Sequence, residues 1–163
     1  MAWKRNILVV ANVTATSEEL LDALQARAQQ SPASFTLIVP ATPFGGGRSA
    51  AAEHLRAAVE SLRAVGLEAE GAVGDADPAV AVTEAWDPKH YDEIIVSTLP
   101  MRLSKWLRAG LPERIGRLTG APITHVVSRP PKPEIEAAPV PVATAASARL
   151  GPLSVLAWGP RKP

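Results

Sequence analysis

Two apolar runs of the chain are each followed directly by short polar side chains. The first run leads into Asn12 and Thr14, and the fourth ends in Ser97 and Thr98. Amide and hydroxyl groups of this kind donate and accept hydrogen bonds without carrying charge. They can hold a polar small molecule if the fold brings the two groups together.

Basic residues are concentrated after this second polar group. Between Ser97 and Arg129 the only acidic residue is Glu113, whereas six are basic: Arg102, Lys105, Arg108, Arg114, Arg117 and Arg129. Guanidinium groups match phosphate oxygens in geometry. Arg102 and Arg108 are therefore candidate anion contacts, while a solvated helix face is the competing explanation for most of this set.

Catalysis and metal binding have little support in the sequence. No base can be placed beside Ser97 or Thr98 to activate a nucleophile, and we expect the chain not to be an enzyme. Asp75 and Asp77 precede Pro78 and fit a turn and a helix N-cap. The histidines lack companion ligands at useful spacing, which predicts no metal site; they are His54, His90 and His125.

The segments that must position these residues alternate between strand and helix patterns. Apolar runs predict strands at 7–11, 35–39, 67–73, 93–97 and 122–127. Helical spacing predicts helices after Thr16, around 55–62, after Asp77 and from Leu103 to Leu118. Because such alternation produces right-handed crossovers, it predicts an α/β fold, a single doubly wound domain with a parallel sheet and helices on both faces.

Three local signals refine this prediction. Thr16 and Glu19 form a capping box at the start of the first helix, and Gly66 is placed for a left-handed cap at the end of the second. Glu68 and Glu70 alternate with apolar residues, which predicts an edge position for the third strand.

The first and fourth strands are the most uniformly apolar and are expected at the centre of the sheet. In open α/β sheets a ligand lies beyond the carboxyl ends of the strands, where the strand order reverses. If these two strands are neighbours, residues 11–14 and 97–100 line that crevice.

From about residue 5 to residue 129 the chain resembles the universal stress protein family, in a divergent branch. The resemblance is carried by segments 5–12, 74–78, 92–98 and 122–127. It implies a five-stranded sheet in the order 3-2-1-4-5 and a homodimer formed through the last strand. In one subgroup it also implies ATP binding in the crevice.

The ATP-binding fingerprint of that subgroup is degraded in this chain. It reads glycine, two residues, glycine, nine residues, glycine, then serine or threonine, and its positions correspond to Ser97, Pro100, Gly110 and Leu111. Only Gly110 matches. Pro100 has no amide hydrogen for a phosphate, and Leu111 has no hydroxyl. The family's acidic residue at the end of strand one is replaced by Asn12.

These observations predict a small-molecule binding module in stress response or regulation. It would hold a nucleotide (ATP, ADP or AMP) or another phosphorylated ligand weakly. By family analogy Val39 packs against the base. The other expected contacts are Asn12 and Thr14 to the base or sugar, and Ser97, Thr98 and Gly110 to the anion. The alternative is a protein that has lost its ligand and acts through homodimerisation and its tail.

Composition excludes several classes of protein. The 163-residue chain is 47% hydrophobic, enough for a folded core, and its net charge of +1 argues against nucleic-acid binding. No apolar run approaches the ~20 residues that cross a bilayer. The absence of cysteine excludes disulfides and thiolate chemistry. We therefore expect a cytoplasmic protein without nucleic-acid or membrane partners.

The chain divides by composition at residue 130. Residues 1–129 form the predicted domain, whereas residues 130–163 hold eight of the sixteen prolines. The second part is expected to be an extended, mostly disordered Pro/Ala-rich tail. Its short apolar patch at 150–158 could dock on the domain or on a partner, or remain a loose end.

Overall fold

Strands and helices alternate along the chain. The computed structural model describes residues 3–43 and 46–129; the predicted tail and its apolar patch lie outside these ranges. The strands are β1 (Arg5–Val10), β2 (Ala33–Pro40), β3 (Glu68–Gly74), β4 (Glu93–Thr98) and β5 (Ile123–Val127). The helices are α1 (Glu18–Gln30), α2 (Gly47–Ala64), α3 (Pro78–Ala85), α4 (Lys105–Arg108) and α5 (Leu111–Thr119).

The five strands form one parallel sheet in the order β3-β2-β1-β4-β5. This order confirms the α/β prediction and the placement of β3 at an edge. Residues 7–10 of β1 are buried, and alternate side chains face opposite sides of the sheet. Ile7 and Val9 pack with α1 and α2, whereas Leu8 and Val10 pack with α3, α4 and α5. Helices therefore cover both faces, as predicted.

The predicted helix from Leu103 to Leu118 is wrong, because the structure divides it into α4 and α5. Pro112 is the second residue of α5, and Gly110 precedes that helix with φ +67°. In one continuous helix Pro112 would lack its hydrogen bond and clash with the carbonyl four residues earlier. The chain therefore starts a new helix, and Gly110 takes the left-handed conformation that the change of direction requires.

Smaller corrections concern helix ends. The N-cap of α1 is Ser17 rather than Thr16, and its hydroxyl accepts from the backbone N–H of Leu20 at 3.1 Å. Trp86 is the C-cap residue that follows α3. Gly66 has φ +86°, which confirms its predicted role at the end of α2.

The amino end of β4 carries a buried carboxylate that sequence analysis treated only as part of an apolar run. Glu93 is 2% exposed. Its oxygens lie 2.6 Å from the Arg27 guanidinium and 3.3 Å from that of Arg5, and Thr124 donates to it at 3.2 Å. Because a buried carboxylate requires compensating partners, this cluster fixes β4 against β1, α1 and β5.

The other end of β4 is fixed to β5 by a side-chain hydrogen bond. Thr98 Oγ1 lies 2.7 Å from His125 Nε2. Burial lowers the pKa of His125, and the nearby charge of Glu113 acts in the opposite direction with less effect. The folded state therefore favours the neutral ring.

Replacing Glu93 with glutamine should destabilise the fold substantially. The substitution keeps the side-chain shape but leaves Arg27 and Arg5 without their counter-charge. We expect the free energy of unfolding in urea to fall by about 3 kcal/mol. The matched control is Glu68→Gln, since Glu68 pairs with Lys4 at the surface, and it should cost less than about 1 kcal/mol. Similar small losses in both variants would contradict the role given to Glu93.

Acidification should weaken the fold through His125. Its folded pKa is below the ordinary value of 6.5, so the unfolded chain binds the proton more readily between these two values. The contribution to stability is present above pH 6.5 and is lost as the pH falls through that window. In urea unfolding between pH 7.5 and 5, the free energy of unfolding of His125→Gln should fall less with decreasing pH than that of the wild type. Val127→Gln is the control on the same strand. An unchanged pH dependence in His125→Gln would refute this effect.

Candidate functional site

A cavity of about 220 Å³ lies where the carboxyl ends of β1 and β4 meet. The two strands pair in parallel, with Val10 opposite Val96, which confirms that their ends lie side by side. The described residues that line the cavity are Asn12, Val13, Thr14, Ser97, Thr98, Leu99, Leu103, Ser104, Lys105 and Trp106. The crevice derived from the sequence therefore exists as an open space in the structure.

A chain of hydroxyl groups joins the carboxyl ends of β1 and β4 at this crevice. Thr14 Oγ1 lies 2.7 Å from Ser97 Oγ, which lies 3.4 Å from Ser128 Oγ. Ser128 Oγ lies 2.8 Å from Ser17 Oγ, the N-cap of α1. Thr14, Ser97 and Ser128 are each at most 2% exposed. The chain thus runs from the cavity to the first turn of α1.

Asn12 joins three segments around the cavity. Its side-chain amide donates to the carbonyl of Pro40 and to the hydroxyl of Thr42, both at 2.9 Å. Its Oδ1 lies 3.0 Å from Nδ1 of His54 on α2; because an amide oxygen only accepts, the histidine nitrogen donates. Both amide hydrogens of Asn12 are therefore used within the protein, and its oxygen keeps one lone pair.

Four of the eight predicted binding residues line the cavity: Asn12, Thr14, Ser97 and Thr98. The other four lie elsewhere. Val39 is fully buried at the end of β2, and Gly110 precedes α5. Arg108 donates to the backbone carbonyl of Arg102, and both side chains are exposed. All eight binding roles stay predictions.

Another member of the basic set is occupied by an ion pair. Arg129 Nε lies 2.6 Å from Glu19 Oε2. This hydrogen bond lowers the pKa of Glu19 and raises that of Arg129. Of the described residues that line the cavity, Lys105 alone is charged.

The loop before α4 and α4 itself form a wall of the cavity that the sequence pattern did not indicate. Leu103, Ser104, Lys105 and Trp106 line the cavity but were assigned to one long helix. Trp106 belongs to the core beside α5 and also borders the cavity. The signal that could have revealed the break was Pro112.

The described residues contain no group of three or more side chains that could hold a metal ion. The three histidines lie on α2, in the loop before β4 and on β5. Among the helices described, none has the length and apolar character needed to cross a membrane.

The structure resembles solved structures although the sequence matches no family model and no curated protein. The universal stress protein from Archaeoglobus fulgidus in complex with dAMP aligns with a TM-score of 0.54 and 16% identity, over 77% of this chain and 99% of that one. A universal stress protein in complex with cAMP aligns with a TM-score of 0.52 and 20% identity, over 78% and 99%.

A further structure of a universal stress protein from Archaeoglobus fulgidus has a TM-score of 0.54 and 16% identity, over 75% of this chain and 93% of that one. These alignments cover nearly the whole of each solved chain. The protein has the fold of the universal stress proteins.

Proposed function

We propose that the crevice between β1 and β4 binds an adenine nucleotide, and that the chain is a binding module rather than an enzyme, acting in stress response or regulation. The observation that carries this proposal is the cavity at the carboxyl ends of β1 and β4, lined by amide and hydroxyl groups. The proposal is supported by two proteins of the same fold whose structures contain dAMP and cAMP.

The hydroxyl chain supplies a donor for such a ligand. Its four hydroxyl groups are joined by three hydrogen bonds. Three of their four hydrogens are used in these bonds, and one remains. When the chain is oriented from Ser17 toward Thr14, that hydrogen belongs to Thr14 and points to an acceptor on the base or sugar. The remaining lone pair of Asn12 Oδ1 accepts from a ligand amino or hydroxyl group.

Binding should be weak. The cavity of about 220 Å³ is smaller than the ~300–1,000 Å³ of typical small-molecule pockets, so only part of a nucleotide is enclosed. Pro100 and Leu111 also remove two of the phosphate contacts of the family fingerprint.

The alternative is a protein that has lost its ligand and acts through association with other chains. It is favoured by Pro100 and Leu111 and by the position of Gly110 outside the cavity lining. The two functions differ in one measurable property, which is nucleotide binding by the purified full chain.

Filling the cavity should abolish nucleotide binding. Leu99 is half-buried and lines the cavity, so Leu99→Trp places a bulky ring in the proposed site. We expect the affinity for AMP, measured by equilibrium dialysis, to fall at least about tenfold, or by ~1.4 kcal/mol. Leu118→Trp is the matched control because Leu118 is exposed on α5, and its affinity should equal that of the wild type.

Circular dichroism should establish that both variants are folded. Binding that survives Leu99→Trp would place the nucleotide elsewhere. A wild-type protein that binds neither AMP nor ATP would favour the ligand-free alternative.

We also propose that the chain forms a homodimer through β5. This strand lies at the end of the sheet order, so one side of its backbone has no neighbouring strand in the described residues. Unpaired edges of this kind accept a second strand. Val127 on β5 is 47% exposed and supplies apolar surface at that edge.

Replacing Val127 with aspartate should dissociate this dimer. Two copies of the substitution bring like charges together across the interface, which opposes strand pairing. Native mass spectrometry should show a shift from dimer to monomer. Ala72→Asp on the opposite edge strand is the control, since Ala72 is exposed on β3, and it should leave the mass unchanged. A wild-type monomer, or a dimer sensitive only to Ala72→Asp, would exclude β5 as the interface.

A further inference from the structure

One stretch of the surface concentrates positive charge. Residues 101–118 comprise the turn after β4, then α4 and α5. Trp106, Leu111 and Ile115 from this stretch are buried in the core on one face of the sheet. The exposed side chains of residues 101–118 therefore lie on the outside of that face, and we call this exposed surface the basic face.

The basic face has a net charge of +4, whereas the whole chain has +1. Its single acidic residue is Glu113, and its five basic residues are all exposed: Arg102, Lys105, Arg108, Arg114 and Arg117. Since five positive charges and one negative charge give +4, the other residues of the chain together carry −3. An anionic partner is therefore attracted to this face more than to the rest of the chain.

Large apolar side chains are exposed among these charges. Met101 is 59%, Leu103 52% and Leu118 54% exposed. Met101 and Leu103 flank Arg102 in the turn after β4. A group of exposed apolar side chains in a polar surface marks a contact with a protein or a membrane. The basic face thus has both components of an amphipathic binding surface, positive charge and apolar area.

The turn that carries Met101 and Leu103 is held in place by its own hydrogen bonds. The backbone N–H of Leu103 donates to the carbonyl of Pro100 at 2.8 Å, and the Arg108 guanidinium donates to the carbonyl of Arg102. All three residues of the turn are exposed in succession. The turn therefore presents two apolar side chains on either side of a guanidinium.

The chemistry of the basic face fits the surface of a lipid bilayer. Anionic headgroups attract arginine and lysine, and aliphatic side chains enter the boundary between headgroups and acyl chains. An exposed apolar turn suits a fluid surface, because a folded protein partner would need a matching hollow. Single-stranded nucleic acid would need exposed aromatic rings for base stacking, and Trp106, the only aromatic residue of the stretch, is 8% exposed.

We propose that the basic face attaches the protein to the surface of membranes that contain anionic lipids, with the turn at Met101 entering the headgroup region. The expectation of no membrane partner rests on the lack of an apolar run long enough to cross a bilayer, and attachment at the surface needs no such run. The attachment is weak and reversible, since it uses five basic residues and a few apolar side chains.

Co-sedimentation of the full chain with vesicles tests this proposal. Wild-type protein should pellet with vesicles in which a third of the lipid is phosphatidylglycerol, and should stay in solution with vesicles of phosphatidylcholine alone. Raising the salt concentration from about 0.1 M to about 0.5 M should release it, because salt screens the attraction between exposed charges.

Two charge-matched variants test where the contact lies. Arg114→Gln with Arg117→Gln removes two exposed charges of α5. Arg48→Gln with Arg56→Gln removes two exposed charges of α2, which covers the opposite face of the sheet. At about fivefold for each basic residue near the membrane, the first variant should bind anionic vesicles at least about tenfold more weakly than wild type. The second should match the wild type, and circular dichroism should show that both are folded.

Met101→Ser tests whether apolar side chains enter the bilayer. Because it removes apolar area from the contact, it should bind anionic vesicles about threefold more weakly or worse. Val65→Ser is the control, since Val65 follows α2 and is 43% exposed, and it should match the wild type. Unchanged binding of Met101→Ser would leave charge attraction alone, which favours an acidic protein segment as the partner and overturns the proposal.

Two further results would overturn the proposal. A wild-type protein that does not pellet with the anionic vesicles would leave the basic face as a solvated surface. Equal losses of binding in the two arginine variants would show attraction to net charge without a defined contact. The nucleotide measurements on the crevice are independent of these results.

Discussion

The parallel pairing of β1 with β4 determines where this molecule has room for a ligand. From β1 the chain passes through α1, on one face of the sheet, to β2. From β4 it passes through α4 and α5, on the opposite face, to β5. The connections therefore diverge from the shared carboxyl edge and leave a cavity there. The polar side chains of the site lie around this gap because they follow the carboxyl ends of β1 and β4.

Most polar side chains of the crevice also hold the fold together. Asn12 joins the end of β2 to α2, and the hydroxyl chain from Thr14 to Ser17 joins the crevice to the start of α1. Within the protein, one lone pair of Asn12 Oδ1 and one hydrogen of the hydroxyl chain are left without a partner in these bonds. Such a site has few but well-positioned groups, since side chains fixed by neighbours lose little freedom on binding.

The arrangement of strands could be predicted from the sequence because each strand is marked by an apolar run and each pair of runs is separated by a helix pattern. The strand order was implied by the resemblance to the universal stress proteins, and the structure confirms that the carboxyl ends of strands one and four lie together. The wall around Trp106 could not be predicted in the same way, since its residues also fit one amphipathic helix and only Pro112 indicates the break. The Glu93 cluster was missed because a charged residue beginning an apolar run resembles a strand boundary, and its partners come from distant segments.

The division of α4 from α5 gives the crevice walls of unequal rigidity. One wall is the end of the sheet, where β4 is anchored by Glu93 at its start and by His125 at its finish. The other is a four-residue helix bounded by a loop and by Gly110. A helix of one turn contributes little cooperative stability of its own. Displacement of this turn would change the width of the crevice, whereas the sheet edge would keep its position.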